Sequence, residues 1–209
     1  MTNPHIEQAV VKLGCEINVA RRVVVLVHGR GQTPLFMEEN VTRPLALKDV
    51  AYVAPTAANE CWYPLGFMAA LAENEPWLTY TMTCIDVLVN GLAEKGCPRD
   101  ELILAGFSQG ACVIAEYICR YPQRYGGVAI LTGGLIGPEG TTWKGDSLEG
   151  TPVFLGTSDA DEWVPLNRVK ESHRVLVERE AKVDFRVYKG MGHIINNDEI
   201  DCLRNMILS

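Results

Sequence analysis

Gly106-Phe107-Ser108-Gln109-Gly110 places a serine between two glycines, after an apolar run at residues 101–107 and before Ala111-Cys112-Val113-Ile114-Ala115-Glu116-Tyr117-Ile118, whose apolar positions continue as a helix. A sharp strand-to-helix bend of this composition holds its central residue in a strained conformation and pushes that side chain into the open, while the glycines remove Cβ atoms that would collide. Average residue usage gives on the order of 0.05 chance matches to such a pattern in a chain of this length. A serine hydroxyl is a weak nucleophile; it needs a neutral imidazole to take its proton and a carboxylate to hold that imidazole in the right tautomer. The four histidines divide by position. His5 stands in a frayed start, and His173 falls on a helical stripe, where a half-buried packing role is expected. His28 closes a strong apolar strand, and its ring is assigned a structural role. His193 follows the strand-like run 183–188 through Lys189-Gly190-Met191-Gly192, a loop that lets its ring swing towards Ser108. It is the expected general base.

These residues need a frame. Apolar, partly β-branched runs recur at 22–28, 50–54, 101–107, 127–132, 152–156 and 183–188, the composition of buried strands. Helical stripes separate most of them: Ile85, Leu88, Val89 and Leu92 with a stop at Gly96; Leu166, Val169, His173, Leu176 and Val177; and Ile200, Leu203 and Ile207. Alternation of this kind predicts one α/β domain over residues 1–209, a mostly parallel sheet flanked by helices on both faces through right-handed crossovers. No repeat, low-complexity tract or linker divides the chain. In sheets of this type that carry a serine elbow, the acid lies between serine and histidine and follows a strand. Residues 151–165 offer Asp159, Asp161 and Glu162, and spacing alone leaves the choice open.

A hydrophobic fraction of 47% excludes a disordered chain, and a net charge of −7 disfavours nucleic acid and anionic lipid surfaces as partners. No apolar run exceeds six residues, so no integral membrane segment is expected, and the first residues lack the features of a secretory signal. The expected location is cytoplasmic. Seven cysteines without a Cys-x-x-Cys pair fit neither a disulfide framework nor a metal cluster. Most of the cysteines are read as small core hydrophobes; Cys61, in a loop beside Trp62, has the alternative of a reactive thiol, but nothing near it in sequence lowers its pKa. A nucleotide-binding motif is missing: Gly29-x-Gly31 has no glycine three residues later, and no Gly-Lys-Ser/Thr occurs.

The motifs His28-Gly29-Arg30-Gly31, Trp62-Tyr63-Pro64, Gly106-Phe107-Ser108-Gln109-Gly110, Asp161-Glu162-Trp163-Val164-Pro165 and Gly190-Met191-Gly192-His193 span nearly the whole chain. In this order they resemble the phospholipase/carboxylesterase group of α/β-hydrolases, which includes acyl-protein thioesterases and small bacterial carboxylesterases. The resemblance implies Asp161, through its Asp-x-x-Val-Pro pattern, as the triad acid and leaves Asp159 as a polar loop or helix-capping residue. It also implies an oxyanion hole from the Gln109 and Arg30 backbone amides. Side-chain identity is expected to matter little at both positions, with the Arg30 guanidinium a solvated surface charge.

The long connection 56–78 concentrates Trp62, Tyr63, Phe67, Met68 and Trp77. Trp62, Tyr63, Phe67 and the later Trp163 are candidate walls of a substrate pocket, against the alternative that the loop aromatics form a mini-core of their own. The 19 residues between Thr132 and Pro152 leave no room for a large cap domain, so the pocket is expected to be open. Exposed apolar surface beside it offers a seat for a twin subunit, so a homodimer is compatible with the sequence, which does not itself give the oligomeric state. The implied function is a cofactor-free, metal-free serine carboxylesterase or thioesterase that hydrolyses short-acyl or lysophospholipid-type esters through an acyl-enzyme. The alternative is a non-catalytic protein that binds a small ligand on the same fold.

Overall fold

The computed structural model describes residues 2–143 and 145–209. A run such as Val23-Val24-Val25-Leu26-Val27 has no polar side, so a strand built from it must be covered on both faces. It forms β2 (Arg22–Val27), which lies inside a seven-stranded sheet with β1 (Val10–Gly14), β3 (Val50–Pro55), β4 (Ile103–Phe107), β5 (Gly127–Leu131), β6 (Pro152–Ser158) and β7 (Lys182–Tyr188). The order is β1-β3-β2-β4-β5-β6-β7, parallel throughout except for the β1–β3 pair. Side chains alternate between the two faces with period two. Val25, Val27, Leu104, Ile130 and Leu155 pack under α3 (Trp77–Glu94), α4 (Gln109–Arg120) and α5 (Leu166–Glu178). Val24, Leu26, Ala105, Leu131 and Phe154 pack under the opposite layer. That layer consists of α6 (Asn197–Leu208) and a helical stretch in which α1 (Pro34–Met37) and α2 (Arg43–Leu45) are joined by a π-helical turn, Glu38–Thr42.

The mostly parallel sheet covered on both faces is the architecture expected from the sequence. The differences have physical causes. The edge strand β1 was not foreseen because it turns only Val11 and Leu13 inward, too short an alternation to stand out. Pro34 opens the stretch 34–45, and Pro44, which lacks an N–H, interrupts its helical signal near the end. In α5, Val177 points to solvent, 48% exposed, and Val175 takes the inward place. That face also buries Arg168 and Ser172, two polar residues that disguise its period. His173 is half-buried and stacks on Phe185 with ring centroids 4.8 Å apart, as its stripe predicts.

The order of strand addition reverses between the parallel neighbours β2 and β4: from β2 the path goes outward to β3, and from β4 it goes the other way to β5, β6 and β7. Side chains at the carboxyl ends of such strands meet in one crevice.

Candidate active site

Ser108 occupies the turn between β4 and α4 with φ 54° and ψ −120°, a left-sided conformation costing on the order of 1–3 kcal/mol. Its surroundings enforce it. Ser108 N–H donates to Leu131 O at 3.0 Å, and Cys112 N–H donates to Ser108 O at 3.0 Å. A Cβ on Gly106 would lie 2.3 Å from Gly110 O, and one on Gly110 would lie 2.0 Å from Val27 O. Only glycine lets the elbow pack this closely against β2.

Three side chains from separate strand ends converge. His193 Nε2 is 2.7 Å from Ser108 Oγ, and His193 Nδ1 is 2.7 Å from Asp161 Oδ2. A carboxylate can only accept, so Nδ1 carries the proton and Nε2 is left to accept from the serine hydroxyl. The Asp161 side chain is fully buried, and its other oxygen accepts from Trp163 N–H at 2.8 Å and Val164 N–H at 2.9 Å. The three acid candidates separate by what they touch. Asp161 meets the imidazole, Glu162 faces solvent, and Asp159 accepts from Gly190 N–H at 2.7 Å, bracing the turn that carries His193. Ser158, which sequence reasoning did not single out, adds a second brace: its hydroxyl donates to Met191 O and accepts from Ala160 N–H at 3.0 Å.

Opposite the triad, Gln109 N–H opens α4, where an amide has no intrahelical acceptor. Arg30 N–H lies in the turn after β2, between Gly29 N–H, which donates to Gln32 Oε1 at 2.9 Å, and Gly31 N–H, which donates to Glu60 O at 2.7 Å. The cavity in front of Ser108 has a volume of about 520 Å³; Tyr63, Leu65, Phe67, Trp163 and Val164 supply its apolar lining, and Arg30, Gln109 and His193 also border it. Tyr63 and Phe67 are buried in its wall, while Trp163 stands at the mouth, 70% exposed.

Trp62 does not reach this cavity. It is fully buried, its Nε1–H donates to His28 O at 2.8 Å, and its ring lies between those of His28 and His5, 5.1 and 5.3 Å away. Trp62 is thus neither a pocket wall nor part of a separate loop mini-core: it packs into the main core beneath α3 and α4. The frayed start expected around His5 is corrected too: that ring is 2% exposed, Nδ1 accepts from Ala58 N–H at 3.0 Å, and Nε2 is 3.1 Å from Trp62 O. His28 is structural as read, with Nε2 accepting from Ala57 N–H at 3.1 Å and Nδ1–H donating to Gly29 O at 2.7 Å. Burial pushes both imidazoles below their ordinary range, which keeps them neutral and lets each accept from a backbone amide.

The Arg30 guanidinium is not a free surface charge. It donates to Pro64 O at 2.6 Å, Tyr63 O at 2.9 Å and Leu65 O. Gln109 is likewise committed: Oε1 accepts from Trp62 N–H at 3.0 Å and Nε2 donates to Tyr63 O at 2.8 Å. A further group that sequence reasoning missed is Glu199, in the first turn of α6. Its carboxyl is buried against Gly156, where a Cβ would lie 2.2 Å from Oε1, and burial pushes its pKa up to about 7. Among the described residues, no three His, Cys, Asp or Glu side chains are grouped to hold a metal ion, and no helix is long and apolar enough to cross a membrane.

Residues 8–208 match the phospholipase/carboxylesterase family. A phospholipase/carboxylesterase from Dyadobacter fermentans, known from its crystal structure, is 37% identical, with a TM-score of 0.87 over 97% of each chain. Acyl-protein thioesterase 1 of Saccharomyces cerevisiae is 26% identical over 94% of this chain and 96% of its own length. The protein of the same name from Eremothecium gossypii is 25% identical over 92% of this chain and 89% of its own.

Proposed function

The chain belongs to the phospholipase/carboxylesterase family and is a hydrolase of the α/β-hydrolase fold, and from that premise we propose that it is a serine esterase or thioesterase working through an acyl-enzyme. One observation carries the reading: the unbroken relay from Ser108 Oγ through His193 to Asp161, with both contacts at 2.7 Å. Ser108 Oγ attacks the acyl carbonyl as His193 Nε2 takes its proton. The tetrahedral oxyanion meets the Arg30 and Gln109 amides, donors typically worth about 2.7–4 kcal/mol each. Collapse breaks the bond to the alcohol or thiol, which leaves with the proton from His193. Water, deprotonated by the same imidazole, then releases the acid. Asp161 holds the tautomer and stabilises the imidazolium.

The substrates proposed are short-acyl carboxylic esters, with lysophospholipids and S-acyl proteins as further members. The family and the names of the thioesterase relatives support that range, and Tyr63, Phe67 and Val164 supply an apolar wall for the acyl group. The proposed site of action is the cytoplasm. Leu65, Met68 and Trp163, all exposed, are where a twin subunit would seat. The test is hydrolysis of p-nitrophenyl and thioester acyl series by the intact protein and by Ser108→Ala. The variant should lose about 10⁴-fold or more in kcat. Saturable binding of a small apolar ligand with no turnover in the intact protein would favour the non-catalytic alternative.

A further inference from the structure

The carbonyl oxygen of Tyr63 accepts from three donors at once: Arg30 Nη2 at 2.9 Å, Gln109 Nε2 at 2.8 Å and Cys61 Sγ at 3.1 Å. A carbonyl offers two lone pairs, so this oxygen is saturated and its place is fixed from several directions. Two of the donors are side chains of the residues whose backbone amides form the proposed oxyanion hole. They come from different elements, Arg30 from the turn after β2 and Gln109 from the first turn of α4. The strands beneath them pair only as far as Val27 beside Gly106, and Gly110 seats the elbow against Val27 O, but neither contact fixes the direction of the two amides beyond the strand ends. The loop segment of residues 61–65 ties the two together from above. Gln109 Oε1 accepts from Trp62 N–H at 3.0 Å, Arg30 Nη1 donates to Pro64 O at 2.6 Å, and Trp62 Nε1–H closes the ring behind on His28 O at 2.8 Å.

We propose that Arg30 and Gln109 are positioning residues whose side chains, joined through the Tyr63 carbonyl oxygen, fix the separation of their own backbone amides and so aim both at the developing oxyanion. The inference rests on the serine-esterase reading above. Oxyanion donors act within a window of about 2.7–3.1 Å, and a misplacement of about 1 Å costs on the order of 100-fold in rate. The contact is made in the transition state, so its loss falls on kcat and not on KM.

The experiment compares Arg30→Met, Gln109→Met and the double variant in steady-state hydrolysis of a p-nitrophenyl ester, together with affinity for a boronic acid that forms a tetrahedral adduct on serine. Each single variant should lose about 10- to 100-fold in kcat with KM held within about threefold, and boronate affinity should fall in step. Because both side chains act through one oxygen, the double variant should lose little more than the worse single one. Gln109→Glu keeps the acceptor for Trp62 N–H and removes the donor to Tyr63 O, so it reads the same loss if Gln109→Met does not fold. Singles that retain kcat within about twofold, a loss carried by KM, or a double variant equal to the product of the singles would each overturn the proposal. Ser108→Ala separates the two levels: undiminished hydrolysis there defeats the serine reading, whereas an inactive Ser108→Ala beside fully active Arg30 and Gln109 variants defeats only this inference.

Discussion

Replacing Asp161 by asparagine changes one atom and should reverse the hydrogen-bond polarity of the whole relay. In the native protein Oδ1 accepts from Trp163 and Val164 N–H, and Oδ2 accepts from His193 Nδ1–H. In Asp161→Asn the amide oxygen takes the first place, because two backbone donors demand an acceptor there. The NH₂ group then faces His193 and can only donate. Nδ1 must lose its proton and accept, the proton moves to Nε2, and the imidazole offers Ser108 a donor where it needs a base. The packing is isosteric and the two backbone bonds survive, so the fold should hold. Loss of the right tautomer in a triad costs about 10⁴-fold in kcat. Asp159→Asn is the internal control. Its carbonyl oxygen still accepts from Gly190 N–H, so kcat should stay within about threefold. Stopped-flow hydrolysis of p-nitrophenyl acetate by both variants, alongside their thermal melts, reads the difference. A larger loss in Asp159→Asn, or an Asp161→Asn protein within tenfold of the native rate and equally stable, would refute the assignment of the acid.

Three further outcomes follow from burial. The Glu199 pKa, raised from 4.5 to about 7, contributes stability that is fully present below pH 4.5 and is lost as pH rises through 7. Glu199→Gln should therefore raise Tm at pH 8 by several degrees, corresponding to on the order of 3 kcal/mol, with the gain vanishing near pH 4.5; a melt series across that range checks it. His5 and His28 shift the other way, so the stability they lend is present above their ordinary pKa of 6.5 and is lost as pH falls from there through their lowered values. Tryptophan emission should change reversibly on acidification, and Trp62→Phe should remove most of that change, because both rings lie against Trp62. Gly110→Ala sets a Cβ 2.0 Å from Val27 O; expression with a melt should show a loss of about 3 kcal/mol or more, or no soluble protein.

What could be read in the sequence was whatever is encoded locally. The elbow is one pentapeptide between an apolar strand and a helix, and the sheet announces itself in runs with no polar face. Spacing placed the acid within 151–165 and left three carboxylates; the family's Asp-x-x-Val-Pro pattern picked the one the structure sets against His193. What could not be read depends on contacts distant in sequence. His5 looks frayed from its position, yet β1 pairs with β3 and the ring closes onto Ala58 and Trp62. Trp62 and Tyr63 are neighbours of like composition, and only the indole N–H finding His28 O sends one into the core and the other to the cavity. The side chains of Arg30 and Gln109 looked incidental beside their amides, because backbone carbonyls thirty to fifty residues away leave no trace in composition. Glu199 reads as a solvated residue of a helix's first turn until the missing Cβ of Gly156 makes room for it beneath the sheet edge.

The most direct measurement is the mass of the protein after exposure to a fluorophosphonate, with peptide mapping of the modified residue and Ser108→Ala treated in parallel. A single adduct on the peptide bearing Ser108, absent from the variant and formed in step with the loss of esterase activity, is the outcome expected of a nucleophile activated by His193 and Asp161. An adduct that persists in Ser108→Ala, or native protein that hydrolyses esters while remaining unlabelled, would contradict it.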